Sequence, residues 1–135
     1  MPEPEIHVPF PLALPGTGDT VIYSNKDIVG PSVAAATRPL TAGPVQSGER
    51  NMNAIVGWFQ ANQDALVKIQ SWDSNANAWV TVNNDGNGNA APAAGGPADI
   101  TAIIYAGWFQ IVVNFAVAPT VWRVPRHWRL FRDGV

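Results

Sequence analysis

The sequence has no cysteine, two histidines and few charges, and each shortage removes a class of function. Without cysteine there is no disulfide framework and no thiolate metal site. His7 and His127 are far apart in the chain, and neither falls in a His/Asp/Glu cluster with ligand spacing, so no catalytic or metal role is assigned to them. The carboxylates are scattered singly, which leaves no acid/base pair. There is no nucleophile elbow, no dinucleotide fingerprint opening a helix and no phosphate-loop lysine. The expectation is a non-enzymatic protein with no cofactor, no metal and no catalytic residues. Charged residues make up 13% of the chain, against about 25% in an ordinary soluble domain. The formal charge of -2 gives no field to attract nucleic acid. A surface so poor in charge is covered by small polar residues or by other subunits. The acidic, proline-broken start Met1-Pro-Glu-Pro-Glu5 lacks a basic segment followed by an apolar one, which argues against a Sec signal peptide.

Helical periodicity is also missing, and strand signals stand in its place. Pro2, Pro4, Pro9, Pro11, Pro15, Pro31, Pro39 and Pro44 all fall in the first fifty residues. Proline blocks helices and central strands, so residues 1–50 read as an extended arm with short edge strands such as Thr20–Ser24. Residues 51–135 read as the core of a single domain. Ala54–Gln60 is a strand. In Ala65–Trp72, Leu66, Lys68, Gln70 and Trp72 lie on one face, with Val67, Ile69 and Ser71 on the other. Asp73–Asn77 is a turn, since Asp, Ser and Asn side chains bond their own backbone, and Trp79–Val82 returns as the hairpin partner. Asn83–Ala98 is a long loop of Asn, Gly, Ala and Pro. Its Asp85-Gly-Asn-Gly-Asn89 starts like a calcium loop, but Ala90 and Gly96 occupy the positions that need glycine and glutamate.

Ile100–Trp122 carries no charge and is long enough to cross a bilayer. Its Gln110, Asn114 and Pro119, with many Ile, Val and aromatics, favour two sheet strands over a membrane helix. The alternation puts Ile103, Tyr105, Phe109, Ile111, Val113 and Phe115 on one side, with Gly107 a bend. Thr120–Val124 is a further strand, and Arg126–Arg132 a final edge strand or a short helix, the strand being preferred. Gly-Trp-Phe-Gln occurs at 57–60 and 107–110, marking either equivalent strands of two sheets or chance. Period-2 segments separated by turns at intervals of about ten residues predict an all-β, antiparallel, jelly-roll-like sandwich with an extended proline-rich arm.

Three groups of residues are candidates for binding. The arm's Ile6, Val8, Phe10, Leu12 and Leu14 alternate with proline and other residues to form an apolar stripe that suits a partner surface. Arg123, Arg126, Arg129 and Arg132, interleaved with His127, Trp128 and Phe131, suit a partner's carboxylates or form a solvated face. The patch is too small to point to nucleic acid. Trp72 and Trp79 flank a polar turn and form either a cross-strand pair closing a hairpin or a sugar platform.

The run Gly57-Trp-Phe-Gln-Ala-Asn-Gln-Asp-Ala-Leu-Val-Lys-Ile-Gln-Ser-Trp-Asp-Ser-Asn-Ala-Asn-Ala-Trp79, with Ala106–Asn114 and Thr120–Val124, resembles a hairpin and strand pair common in bacteriophage structural proteins. The similarity spans roughly residues 52–132, though Asp73-Ser-Asn stands where Asp-Gly is usual. It implies a virion protein, made in the host cytoplasm, that decorates and cements a capsid through contacts with the major capsid protein. A homo-oligomer is expected, a trimer first, with no membrane partner. The alternative is a carbohydrate-binding or host-recognition module of a fibre or tail.

Overall fold

Alternation along the strands decides which side chains enter the core. In β4 (Ala65–Asp73), Ala65, Val67 and Ile69 are buried, while Leu66, Lys68 and Gln70 stay partly open, as the period-2 pattern requires. The structure, a computed structural model, describes residues 5–7, 14–24, 26, 52–105, 108–125 and 127–132. These hold nine further strands: β1 (Glu5–His7), β2 (Gly18–Ser24), β3 (Met52–Ala61), β5 (Ala78–Thr81), β6 (Asn89–Ala91), β7 (Ala98–Tyr105), β8 (Phe109–Phe115), β9 (Trp122–Arg123) and β10 (His127–Arg132). All pairings are antiparallel.

One sheet runs β1-β10-β3-β7, with β9 also on β3; the other runs β2-β8-β4-β5, with β6 also on β4. β5 and β6 lie along one edge of β4 as a single interrupted strand, and β9 and β10 lie along β3 in the same way. Merging each pair leaves eight strands, ordered first-eighth-third-sixth and second-seventh-fourth-fifth. This is the order of a jelly roll, the double-sheet form that folds two Greek keys into one sandwich. Ile55, Phe59, Ile100, Ile104 and Trp128 from one sheet meet Val67, Ile69, Phe109, Ile111, Val113 and Phe115 from the other. The first Gly-Trp-Phe-Gln copy falls in β3 and the Phe109-Gln110 of the second opens β8, each an inner strand of its sheet, and each sends its Phe (Phe59, Phe109) into the core.

Both interruptions have a local cause. Beside β4, Val82–Gly88 fills the gap facing Lys68 and Ile69 with a 3-10 turn (Asn83–Gly86). Asn84 and Asp85 take positive φ there, a region that Asn and Asp tolerate. The buried Asn83 side chain then acts as a substitute peptide unit: its Oδ1 accepts from Ile69 N–H (2.9 Å) and its Nδ2 donates to the Val67 carbonyl (2.9 Å). At Gly88 the backbone passes so close that a Cβ would lie 3.1 Å from the Val67 oxygen. Beside β3, the stretch Val124–Trp128 spans the same length as Gly57–Phe59, which bulges the chain around the buried Pro125. There the Trp128 indole lies on the Gly57 backbone, where a Cβ would be 2.1 Å from its ring.

The structure corrects four expectations. Ile103 is exposed (54%), because β7 and β8 belong to different sheets and the alternation restarts between them; Ile100, Ala102 and Ile104 face inward instead. The segment at 127–132 is a strand, but an inner one, because β1 covers its outer side. The Asn83–Ala98 loop contains the 3-10 turn and β6, because Asn83 ties it to β4. Of Thr120–Val124, Trp122 and Arg123 alone are strand. Among the described residues no helix is long and apolar enough to cross a membrane.

Candidate interaction site at the loop end

Four connections leave the sandwich at one end: residues 14–17 before β2, 62–64 between β3 and β4, 92–97 between β6 and β7, and 116–121 between β8 and β9. The strand ends that they join are mutual partners, since Ala65 pairs with both Phe115 and Ala91, Gly18 with Phe115, and Ala61 with Trp122. Side chains stitch the loops together. Asn62 Oδ1 accepts from the Thr120 and Val121 N–H groups (3.0 and 3.1 Å), and its Nδ2 donates to Thr120 Oγ1 (2.7 Å). Asp64 Oδ1 accepts from Ala93 N–H (2.8 Å).

This end carries three of the exposed large apolar side chains, Leu14 (50%), Val117 (57%) and Val121 (59%). Beside them opens a cleft of about 280 Å³ lined by Gln60, Asn62, Ala93, Val121, Trp122 and Arg123. Trp122 forms its wall, held edge-on to Phe59 with ring centroids 6.0 Å apart. Arg123 is exposed at its rim and makes no ion pair with any described residue. An apolar rim with one unpaired guanidinium suits a protein surface bearing a carboxylate. Compared with known proteins, the chain matches no family model, no curated protein and no solved structure.

The binding residues expected from sequence are dispersed. Ile6 lies in β1 opposite Trp128, within its own sheet. Leu14 reaches the loop end, while Val8, Phe10 and Leu12 lie outside the described residues. Arg123 and Arg129 are exposed and pair with Gln60 and Val56, positions of one parity on β3. Arg132 pairs with Asn53, of the opposite parity, and Arg126 lies outside the described residues. Arg132 therefore does not share the strand face of Arg123 and Arg129.

Trp72 and Trp79 are cross-strand partners whose rings meet edge to face (73°, centroids 5.3 Å), and Lys26 Nζ sits 4.3 Å over the Trp72 ring. They offer two planes rather than one flat plate. Next to them, on the outer side of the second sheet, runs a row of amides. Gln110 Nε2 donates to Gln70 Oε1 (2.6 Å), and Gln70 Nε2 donates to Thr81 Oγ1 (3.1 Å). Further along, Asp19 accepts from Asn114 (2.7 Å) and pairs with Lys68 (3.2 Å). The Asn114 hydrogen bond, aided by Lys68 and opposed by partial burial, holds the Asp19 carboxyl below its ordinary value. The Asp85–Asn89 side chains serve the loop itself: Asn89 Oδ1 accepts from Asn83 and Asn87 Nδ2 donates to the Asn84 carbonyl. Sequence reasoning missed Asn62, Trp122 and the cleft, because they come together from segments some sixty residues apart.

Proposed function

We propose that this chain is a non-enzymatic structural protein of a virus particle, a bacteriophage capsid decoration protein that cements neighbouring subunits. The observation that carries the reading is the jelly-roll strand order combined with an apolar loop end. Jelly rolls build both capsids and lectins, so fold alone does not choose a function, and the loop end weighs toward protein contact. Val117, Val121 and Leu14 supply apolar area, and Arg123 supplies a bidentate donor for a carboxylate of the shell protein. A trimer is the expected oligomer, made in the host cytoplasm and carried on the particle. Particles banded from an infected culture are expected to hold the chain in stoichiometric amount. Particles stripped of it rebind the purified protein, and Val121→Asp with Arg123→Ala abolishes rebinding without lowering the melting temperature. Absence of the chain from the banded particle overturns the proposal.

The second reading is a carbohydrate-binding module of a fibre or tail, favoured by the amide row beside Trp79. Glycan-array binding that Trp79→Ala removes would support it.

A further inference from the structure

At the loop end β3 outruns β7, and one rung of its backbone is left open. On the β9 side Gln60 pairs with Arg123 and Ala61 with Trp122, and Asn62 N–H donates to the Val121 carbonyl (3.0 Å). That bond makes Asn62, and Gln60 two residues back, the positions whose backbone groups turn toward β9, because these directions alternate along an antiparallel strand. Ala61, between them, turns its N–H and C=O the other way, toward the line of β7. The last β3–β7 pair is Phe59 with Ala98, and the chain before Ala98 swings out through Gly95 and Gly96, both at positive φ (107° and 80°). Neither backbone group of Ala61 meets a partner among the described residues. Yet Ala61 is only 5% exposed, and it lines the cleft together with Ala93 and Trp122. A buried backbone donor and acceptor both left unpaired are rare in native proteins.

We propose that this open rung receives an extended acidic segment of a partner protein, which adds to the sheet as a short strand at Ala61. Strand addition takes its affinity from main-chain hydrogen bonds and its selectivity from alternate side chains. A segment residue paired with Ala61 shares its inward side, where Ala61 and Phe59 belong to the core, so that residue must be small. The residues flanking it fall on the outer side, the side of Gln60 and its partner Arg123. Arg123 is exposed there and makes no ion pair with any described residue, so a carboxylate next to the small residue complements it. The inference rests on reading the loop end as a protein-contact site, and it says what that site grips: a strand backbone with a small residue beside an acidic one, rather than a flat apolar surface.

The test is a nuclear magnetic resonance titration of the full, isotopically labelled chain with the blocked peptide acetyl-Thr-Ala-Glu-Ala-Thr-amide. As the peptide binds, the Ala61 amide proton is expected to move downfield and to exchange more slowly with solvent, because it gains an acceptor. The same peptide with both alanines N-methylated cannot complete the rung and is expected to bind at least about tenfold more weakly. Replacing the peptide's Glu by Gln, or making Arg123→Gln in the protein, is expected to weaken binding about threefold, as an exposed ion pair allows, and the two changes together no more than either alone. Ala93→Phe, at an exposed position, is expected to fill the cleft and abolish binding. The melting temperatures of both protein variants are expected to match the parent, which controls for folding. The proposal is overturned if the peptide leaves the Ala61 amide unmoved at millimolar concentration, if the N-methylated peptide binds as well as the parent peptide, or if Arg123→Gln makes no difference. The titration needs no particle, so its failure removes the strand-addition site, whereas failure of particle rebinding removes the capsid reading.

Discussion

Asn83 does the work of a missing strand residue. Its carboxamide pairs one N–H and one C=O of β4 that the interrupted neighbour strand leaves open, and it also donates to Asn89 Oδ1 (2.7 Å). A buried backbone group without a partner costs about 1–3 kcal/mol. Asn83→Ala therefore is expected to lower unfolding free energy by about 2–4 kcal/mol, seen as an earlier urea midpoint. Asn83→Asp keeps the acceptor but sets an oxygen against the Val67 carbonyl, and recovers less than half of that. Asp19 gives a smaller effect with a defined sign. Its folded pKa lies below the ordinary 3.8, so the stability it adds is present above that value and is lost as pH falls through the lower folded one. In an acid series, the parent is expected to lose more stability below pH about 4 than Asp19→Asn does. The difference is modest because the carboxylate side chain is more than half exposed.

At the scale of strands, the sequence was legible where one strand spans a full period and illegible where a strand is broken. β4 was clear because Val67 and Ile69 alternate with Lys68 and Gln70 in one unbroken run. β7 and β8 read as one alternation because nothing in Ile100–Phe115 announces a change of sheet, and so the pattern points Ile103 inward where the fold turns it out. Asn83 was hidden in a segment whose composition says only turn; no local signal marks an asparagine that will be buried by a distant strand. The β9–β10 bulge was half legible, since Pro125 announced a break but not the ring that fills it. That ring explains Gly57. With a Cβ 2.1 Å from the Trp128 indole, Gly57→Ala requires β3 and β10 to separate. Overpacking of this kind costs about 1–3 kcal/mol or more. A double-mutant cycle is expected to show coupling, with the cost of Gly57→Ala at least halved when Trp128 is also replaced by Leu.

For the molecule as a whole, period-2 patterning established the two-sheet sandwich, because a residue's face depends only on its neighbours. The loop end did not follow from patterning. Its cleft joins Gln60 and Asn62 to Ala93 and to Val121–Arg123, a meeting set by strand order. The same strand order governs how the chain folds in time. Every described strand of the second sheet lies between Gly18 and Phe115, so that sheet can form before β9 and β10 have been made. The first sheet cannot. Glu5 pairs with Arg129, and β10 must enter between β1 and β3, so this half waits for β10 and then closes the longest loop among the described strand pairs. Non-local pairing of this kind folds in milliseconds to seconds rather than microseconds. In stopped-flow refolding, fluorescence from Trp128 in an otherwise Trp-to-Phe background is expected to report the slower phase, trailing a probe placed at Trp72. During that lag the outer side of β3 stands as an unpaired edge, and it is then, rather than in the finished sandwich, that the nascent protein is most exposed to pairing with the wrong neighbour.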